Sequence, residues 1–166
     1  MELQYVSTRD ASEVVSASQA ILKGLANGGG LFVPTFIPKL DVSLEDLSKM
    51  TYQQTAYEVM KLFLTDFTKE ELENCINRAY DAKFDTEEIA PLVYADGAYY
   101  LELFHVSTIA FKDMALSILP HLMITSARKN QIKNDLGALY ACKSGKGSLS
   151  GISAGRSKND LSADSL

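Results

Sequence analysis

Lysine 112 stands between Phe111 and Asp113, directly ahead of a stretch with helical periodicity. An ammonium in the first turn of a helix faces the positive end of the helix dipole, which disfavours the charged form. An aromatic neighbour adds desolvation in the same direction. A neutral, accessible amine is what imine chemistry with an aldehyde requires, because only the unprotonated nitrogen attacks. The plainer reading of the same residues is a surface lysine paired with an acidic neighbour, and position alone favours it. His105 and Thr108, a few residues upstream, either line a site near Lys112 or cap the helix and satisfy loop backbone.

Other candidate chemistry is weaker. Gly28-Gly29-Gly30 follows a helical pattern rather than a strand and matches neither phosphate-loop spacing, so it reads as a turn. Ser144-Gly145-Lys146-Gly147-Ser148 also fails, since Tyr140 occupies the earlier glycine position and Gly147 follows the lysine. Ser7-Thr8-Arg9 is a polar turn after a short strand. Cys75 and Cys142 have no metal-ligand spacing and suit two reduced thiols in a cytoplasm. With His105 and His121 as the two histidines, a histidine-rich metal site is not expected.

The elements that must position Lys112 are legible from caps and periodicity. Leu3 to Val6 forms a short strand. Ser16 with Gln19, Ser43 with Asp46, Thr51 with Gln54 and Thr68 with Glu71 have the spacing that starts a helix. The first helix carries Ala17, Ala20, Ile21, Gly24 and Leu25 and stops at Asn27-Gly28-Gly29-Gly30. Leu31-Phe32-Val33 is extended, between that turn and a loop bracketed by Pro34 and Pro38. Ala56, Val59, Met60 and Phe63 make one core-facing stripe; Leu72, Cys75, Ile76, Ala79 and Tyr80 make another. Leu92–Tyr94 and Tyr99–Phe104 read as strands joined by Asp96-Gly97. The helix after Lys112 presents Ala115, Ile118, Leu119 and Leu122, and Pro120 implies a kink or an early stop.

The 166-residue chain is 46% hydrophobic and 22% charged, a balance typical of globular domains. No apolar run approaches the ~20 residues of a membrane span, and Met1-Glu2-Leu3-Gln4 does not open a secretory signal. The net charge of −5 is unevenly distributed: residues 1–127 hold 9 basic and 18 acidic side chains, residues 128–166 hold 7 and 3. Beyond Asp135, Ser and Gly dominate and periodicity fails, which reads as a loosely attached or disordered tail. Its basic character does not suffice for nucleic-acid binding, because it contains one aromatic, Tyr140, and no defined module.

Three motifs, in order, carry a resemblance. "YVSTRD" at 5–10 is similar to the Y-x-S-T-R-G opening of the threonine synthases; "AILKGLANGGGLFVP" at 20–34 resembles their G-L-A-x-D-G-G-L-Y/F-V-P; "ELFHVSTIAFKDMAL" at 102–116 resembles E-L-F-H-G-P-T-x-A-F-K-D-x-A-L. That resemblance implies that Lys112 is the Schiff-base lysine for pyridoxal phosphate and that Phe111 lies near the cofactor ring. It implies the family reaction, O-phosphohomoserine and water to threonine and phosphate, with a small-molecule substrate and neither membrane nor nucleic acid as partner. It also implies an α+β and α/β architecture: a mainly helical N-terminal domain with short strands at 1–95, then the first elements of a fold-type II, tryptophan-synthase-β-like cofactor domain at 96–134, then the tail at 135–166. Asp10 departs from a glycine, and Val106-Ser107 from Gly-Pro. The family's S-G-D-T-G phosphate loop has no counterpart after Asp135, so the chain reads as truncated or frame-shifted after about residue 134, with a catalytically inactive fragment or interaction module as the alternative.

Overall fold

The computed structural model describes residues 3–132. These mix short strands with helices and belong to one compact unit. The expected Ser/Gly-rich tail, Cys142 and the 144–148 glycine cluster lie outside the described residues.

Strand β1 (Tyr5–Ser7) is the centre of a three-stranded antiparallel sheet. It pairs on one side with β2 (Val14–Val15) and on the other with β3 (Phe32–Pro34). Between them α1 (Ala17–Lys23) starts at Ser16, whose hydroxyl accepts from the Gln19 amide while the Gln19 side chain accepts from the Ser16 amide. This reciprocal cap satisfies two backbone donors that the first turn would leave free. The helix ends earlier than its periodicity suggests: Gly24 adopts φ 71° and its N–H closes onto Ala20 O, so Leu25 falls outside and is exposed.

Helices α2 (Leu44–Leu47), α3 (Tyr52–Phe63) and α4 (Lys69–Ala79) begin at the three expected caps, and Thr51 and Thr68 form full capping boxes. Their fates differ with burial. Every residue of the expected α4 stripe is buried, Ile76 to 1% exposure and Ala79 to 0%. Helix α3 has no fully buried residue. Ala56 and Met60 pack on the core from its rim, while Val59 is exposed, a correction to the reading of that stripe as core.

The hairpin β4 (Leu92–Ala95) and β5 (Ala98–Leu101) turns at Asp96 (φ 48°) and Gly97 (φ 81°). Two consecutive left-handed residues are what a two-residue hairpin of this twist demands. The second strand is shorter than expected: the Glu102 N–H still bonds Pro91 O, one step beyond the Leu92–Leu101 pair, but Pro91 has no N–H with which to carry the ladder further. After Lys112 the single expected helix is two: α5 (Asp113–Leu116) and α6 (Leu119–Lys129). Pro120 sits in the first turn of α6, where its missing N–H costs nothing, so the proline starts a helix instead of kinking one.

The core gathers Leu72, Cys75, Ile76 and Ala79 of α4 with Phe67, Tyr80, Phe84, Ile89, Val106, Ile118 and Leu122. Ring contacts extend it, with Tyr52 edge-on to Tyr80 at 4.8 Å. The Tyr80 hydroxyl donates to Met114 O at 3.0 Å, which fastens α5 to the end of α4. Burial holds this phenol above its ordinary pKa, so it remains a donor throughout the physiological range.

Because Ile76 is central and nearly inaccessible, Ile76→Ala is expected to lower unfolding free energy by about 2–5 kcal/mol, measured by urea denaturation. Leu44→Ala, at a residue 85% exposed, is expected to stay within about 0.5 kcal/mol of the parent.

Candidate functional site

The two N-terminal motifs form one structural piece. The Thr8 N–H donates to Leu31 O at 2.8 Å, the Leu31 N–H donates to Thr8 Oγ1 at 3.0 Å, and Arg9 Nη1 donates to Gly28 O at 3.1 Å. A Cβ at Gly30 would meet Ser7 Oγ at 2.4 Å and Arg9 N at 3.1 Å. Glycine is needed there because the two segments touch. Glu13 completes the piece by accepting from the Asn27 N–H and pairing with Lys23. Arg9 is therefore occupied by a backbone carbonyl, and the glycine run serves as a turn, as its position after a helix implies.

The third motif makes the loop that carries the lysine. Val106 is buried and pairs with Phe84 in an isolated antiparallel bridge. The Ile109 N–H then donates to Val106 O at 2.8 Å and Ile109 takes φ 58°, left-handed for a β-branched residue. Such a conformation persists only where its surroundings impose it. Thr108 imposes it in part: its hydroxyl donates to Asp113 Oδ2 and accepts from the Ala110 N–H. The Asp113 N–H returns to Ala110 O at 2.9 Å. Lys112 occupies the position just before α5, and its carbonyl accepts from Ala115 and Leu116.

Among the described residues Lys112 makes neither a hydrogen bond nor an ion pair through its amine, and it is exposed. The expected pairing with Asp113 is replaced by the bond from Thr108. Phe111 is 73% exposed, so the apolar cover anticipated over the lysine is not supplied by these residues. Phe111 and Lys112 are neighbours on an open surface.

The His105 side chain does not cap the helix but lies between two carboxylates. Its Nδ1 lies 2.6 Å from Asp85 Oδ1 and its Nε2 lies 2.7 Å from Glu102 Oε2, while its ring stacks on Phe104 at 4.7 Å. The bond to Glu102, reinforced by Asp85, holds the imidazole above its ordinary pKa. His121 moves the other way: burial, with Arg78 and Lys83 adding to it, disfavours its charged form. Sequence reasoning misses Asp85 and Glu102. The Glu102–His105 spacing is a visible signal; Asp85, twenty residues away, has no local one.

The matched family model is "Threonine synthase N terminus", over residues 4–80. The threonine synthase of Schizosaccharomyces pombe is 36% identical over 170 residues, an alignment covering 97% of this chain and 33% of that protein. In three dimensions, the crystal structure of yeast threonine synthase aligns with TM-score 0.68 at 35% identity, over 79% of this chain and 28% of that one. This chain is related to the N-terminal part of the threonine synthases. A PLP-bound threonine synthase from Brucella melitensis aligns with TM-score 0.69 at 29% identity, over 84% of this chain and 32% of that one. The chain thus spans a third or less of the length of the curated relatives it matches, and similarity to the S. pombe protein runs past residue 134.

Pyridoxal phosphate needs an amine, an anion cradle for its phosphate and a surround for its ring. Of these the described residues fit the first alone: Lys112 offers an uncommitted amine, Gly29 and Gly30 are closed against Arg9 and Ser7, and Phe111 faces no enclosing wall. By themselves they do not make a complete cofactor site.

The contact at Gly30 sets a contrast within one tripeptide. Gly30→Ala is expected to destabilise by about 1–3 kcal/mol. Gly28→Ala, whose Cβ would meet nothing within 4 Å, is expected to change stability by less than about 0.5 kcal/mol, both read from thermal or urea unfolding.

Proposed function

We propose that this chain provides the N-terminal portion of a threonine synthase-like enzyme and that Lys112 is the residue to which pyridoxal phosphate attaches, with Phe111 beside its ring. The observation that carries this reading is Lys112 within E-L-F-H-V-S-T-I-A-F-K-D, held before α5 with its amine uncommitted, in a chain related to that family. Pyridoxal phosphate supplies an electron sink when bound. The reaction proposed for the complete catalytic assembly is conversion of O-phosphohomoserine and water to threonine and phosphate, in the cytoplasm. In it residues 1–95 act as the family's N-terminal domain, and residues 96–134 open the cofactor domain. The phosphate-holding turn must come from outside residues 3–132.

A second reading is supported by a separate observation. Both strands of the 92–101 hairpin are exposed along their length, including Leu92, Tyr94, Tyr99, Tyr100 and Leu101. An apolar hairpin of this kind suits an inactive module that docks on a complementary domain.

The test is to incubate the full chain with pyridoxal phosphate, reduce with borohydride and map the labelled peptide. Labelling concentrated at Lys112 and abolished in Lys112→Ala is expected, with weak affinity and no phosphate release from O-phosphohomoserine by this chain alone. Label spread evenly over the lysines would contradict the assignment of Lys112. Phosphate release at a normal enzymatic rate would contradict the need for a separate phosphate-holding turn.

A further inference from the structure

We propose that His105 is a positioning residue for the Lys112 loop: as an imidazolium held between Asp85 and Glu102, it pins the start of that loop to the segment after α4, and it lets go as the ring loses its proton. This rests on the reading of Lys112 as the functional lysine, and adds to it a residue outside the lysine's own turn.

The hydrogen-bond inventory of the ring requires its charged form. A carboxylate accepts and does not donate, and a neutral imidazole has one N–H. His105 has a carboxylate oxygen within bonding distance of each ring nitrogen, 2.6 Å at Nδ1 and 2.7 Å at Nε2. Both bonds form together only when both nitrogens carry protons. Deprotonation removes one donor and leaves a lone pair facing a carboxylate oxygen.

The two carboxylates belong to different segments. Glu102 follows β5 and is three residues from His105 on the same strand exit; Asp85 lies after α4. The backbone reinforces the same junction, with the Asp85 N–H on His105 O at 3.1 Å and the Phe84–Val106 bridge beside it. The loop from Val106 to Lys112 includes the left-handed Ile109 and the Thr108–Asp113 bond. A loop with strain in its middle needs both ends fixed: Asp113 and α5 hold one, and the His105 junction holds the other.

The remaining charge around the ring is sparse. Lys83 lines the same cleft, engaged with Arg78 O and Asp81, while Phe104 covers one face of the imidazole. Asp85 and Glu102 thus dominate the field at the ring, and the raised affinity of His105 for its proton agrees with the geometry. The folded state gains from this proton when the ring is charged. The gain is complete below the ordinary histidine value of about 6.5 and is lost as pH rises through the higher folded value.

The experiment uses the full chain and two readouts. Histidine ring signals, assigned with His121→Gln, give the ionisation of His105 by NMR. Amide hydrogen exchange, corrected for its intrinsic pH dependence, is followed at Ile109 and Asp113 from about pH 6 to about pH 9. Both amides are donors within the loop. In the parent, exchange there should accelerate on the order of two- to fivefold across the His105 titration. In His105→Gln it should be fast and flat over that range, and Glu102→Gln should lower the midpoint. If His105→Gln fails to fold, Asp85→Asn and Glu102→Gln carry the same comparison. Parent exchange that is unchanged across the titration overturns the proposal, as does a His105 midpoint unmoved by Glu102→Gln. Repeating the exchange in Lys112→Ala separates the two readings: the pH response should persist there whether or not Lys112 takes the cofactor, which the borohydride label decides independently.

Discussion

Burial of one face of α4 is the constraint on which the rest of the structure depends. Leu72, Cys75, Ile76 and Ala79 recur at helical spacing and are all nearly inaccessible, so the helix can sit in one orientation only. That orientation sets Phe67 before it and Tyr80 and Phe84 after it into the same core, and it leaves α6 a surface on which Ile118 and Leu122 close. Helix α3 joins from the rim. The strands contribute little to this core: β1 attaches through the bond from Tyr5 Oη to Phe63 O, and α1 beside the sheet through the Ser18 amide on Asp66, both just beyond or at the end of α3.

From α4 the constraint reaches the lysine by short links. Tyr80 closes the helix and bonds Met114, Phe84 bridges Val106, and Asp85 meets His105. Lys112 therefore lies in a loop tied at both ends to the residues after α4. Among the described residues its amine has no partner, although its backbone is held. The rigidity comes from the core and the openness from the absence of a cover over Phe111 and Lys112 within residues 3–132.

Much of this is legible in the sequence, and the reasons for the rest are physical. Four helix starts are readable because a cap is a contact over three residues, and each of Ser16, Ser43, Thr51 and Thr68 makes it. The α4 stripe is readable because it is complete. The α3 stripe has the same periodicity but lies at the edge of the core, and periodicity reports a preferred face without reporting whether anything covers it. Gly24 ends α1 ahead of the glycine run because a single left-handed residue suffices. Strand β2, at two residues, is below what alternation can reveal. Of the site, Lys112 and Phe111 come from a motif, and their exposure does not, since cover depends on distant chain. Asp85 beside His105 is out of reach for the same reason, being a contact across twenty residues set by where α4 ends.

Above all, the core delivers Lys112 with its backbone held and its amine free of any partner among the described residues. Competitive acetylation of the folded chain, with each lysine quantified by mass spectrometry, measures that most directly. Lys129 lies on Glu71 and over the Phe67 ring, and Lys23 pairs with Glu13, so both serve as internal references for a committed amine. Lys112 should be modified markedly faster than Lys129 and Lys23. Protection of Lys112 equal to that of Lys129, under conditions where the chain remains folded, would contradict a free amine at this position.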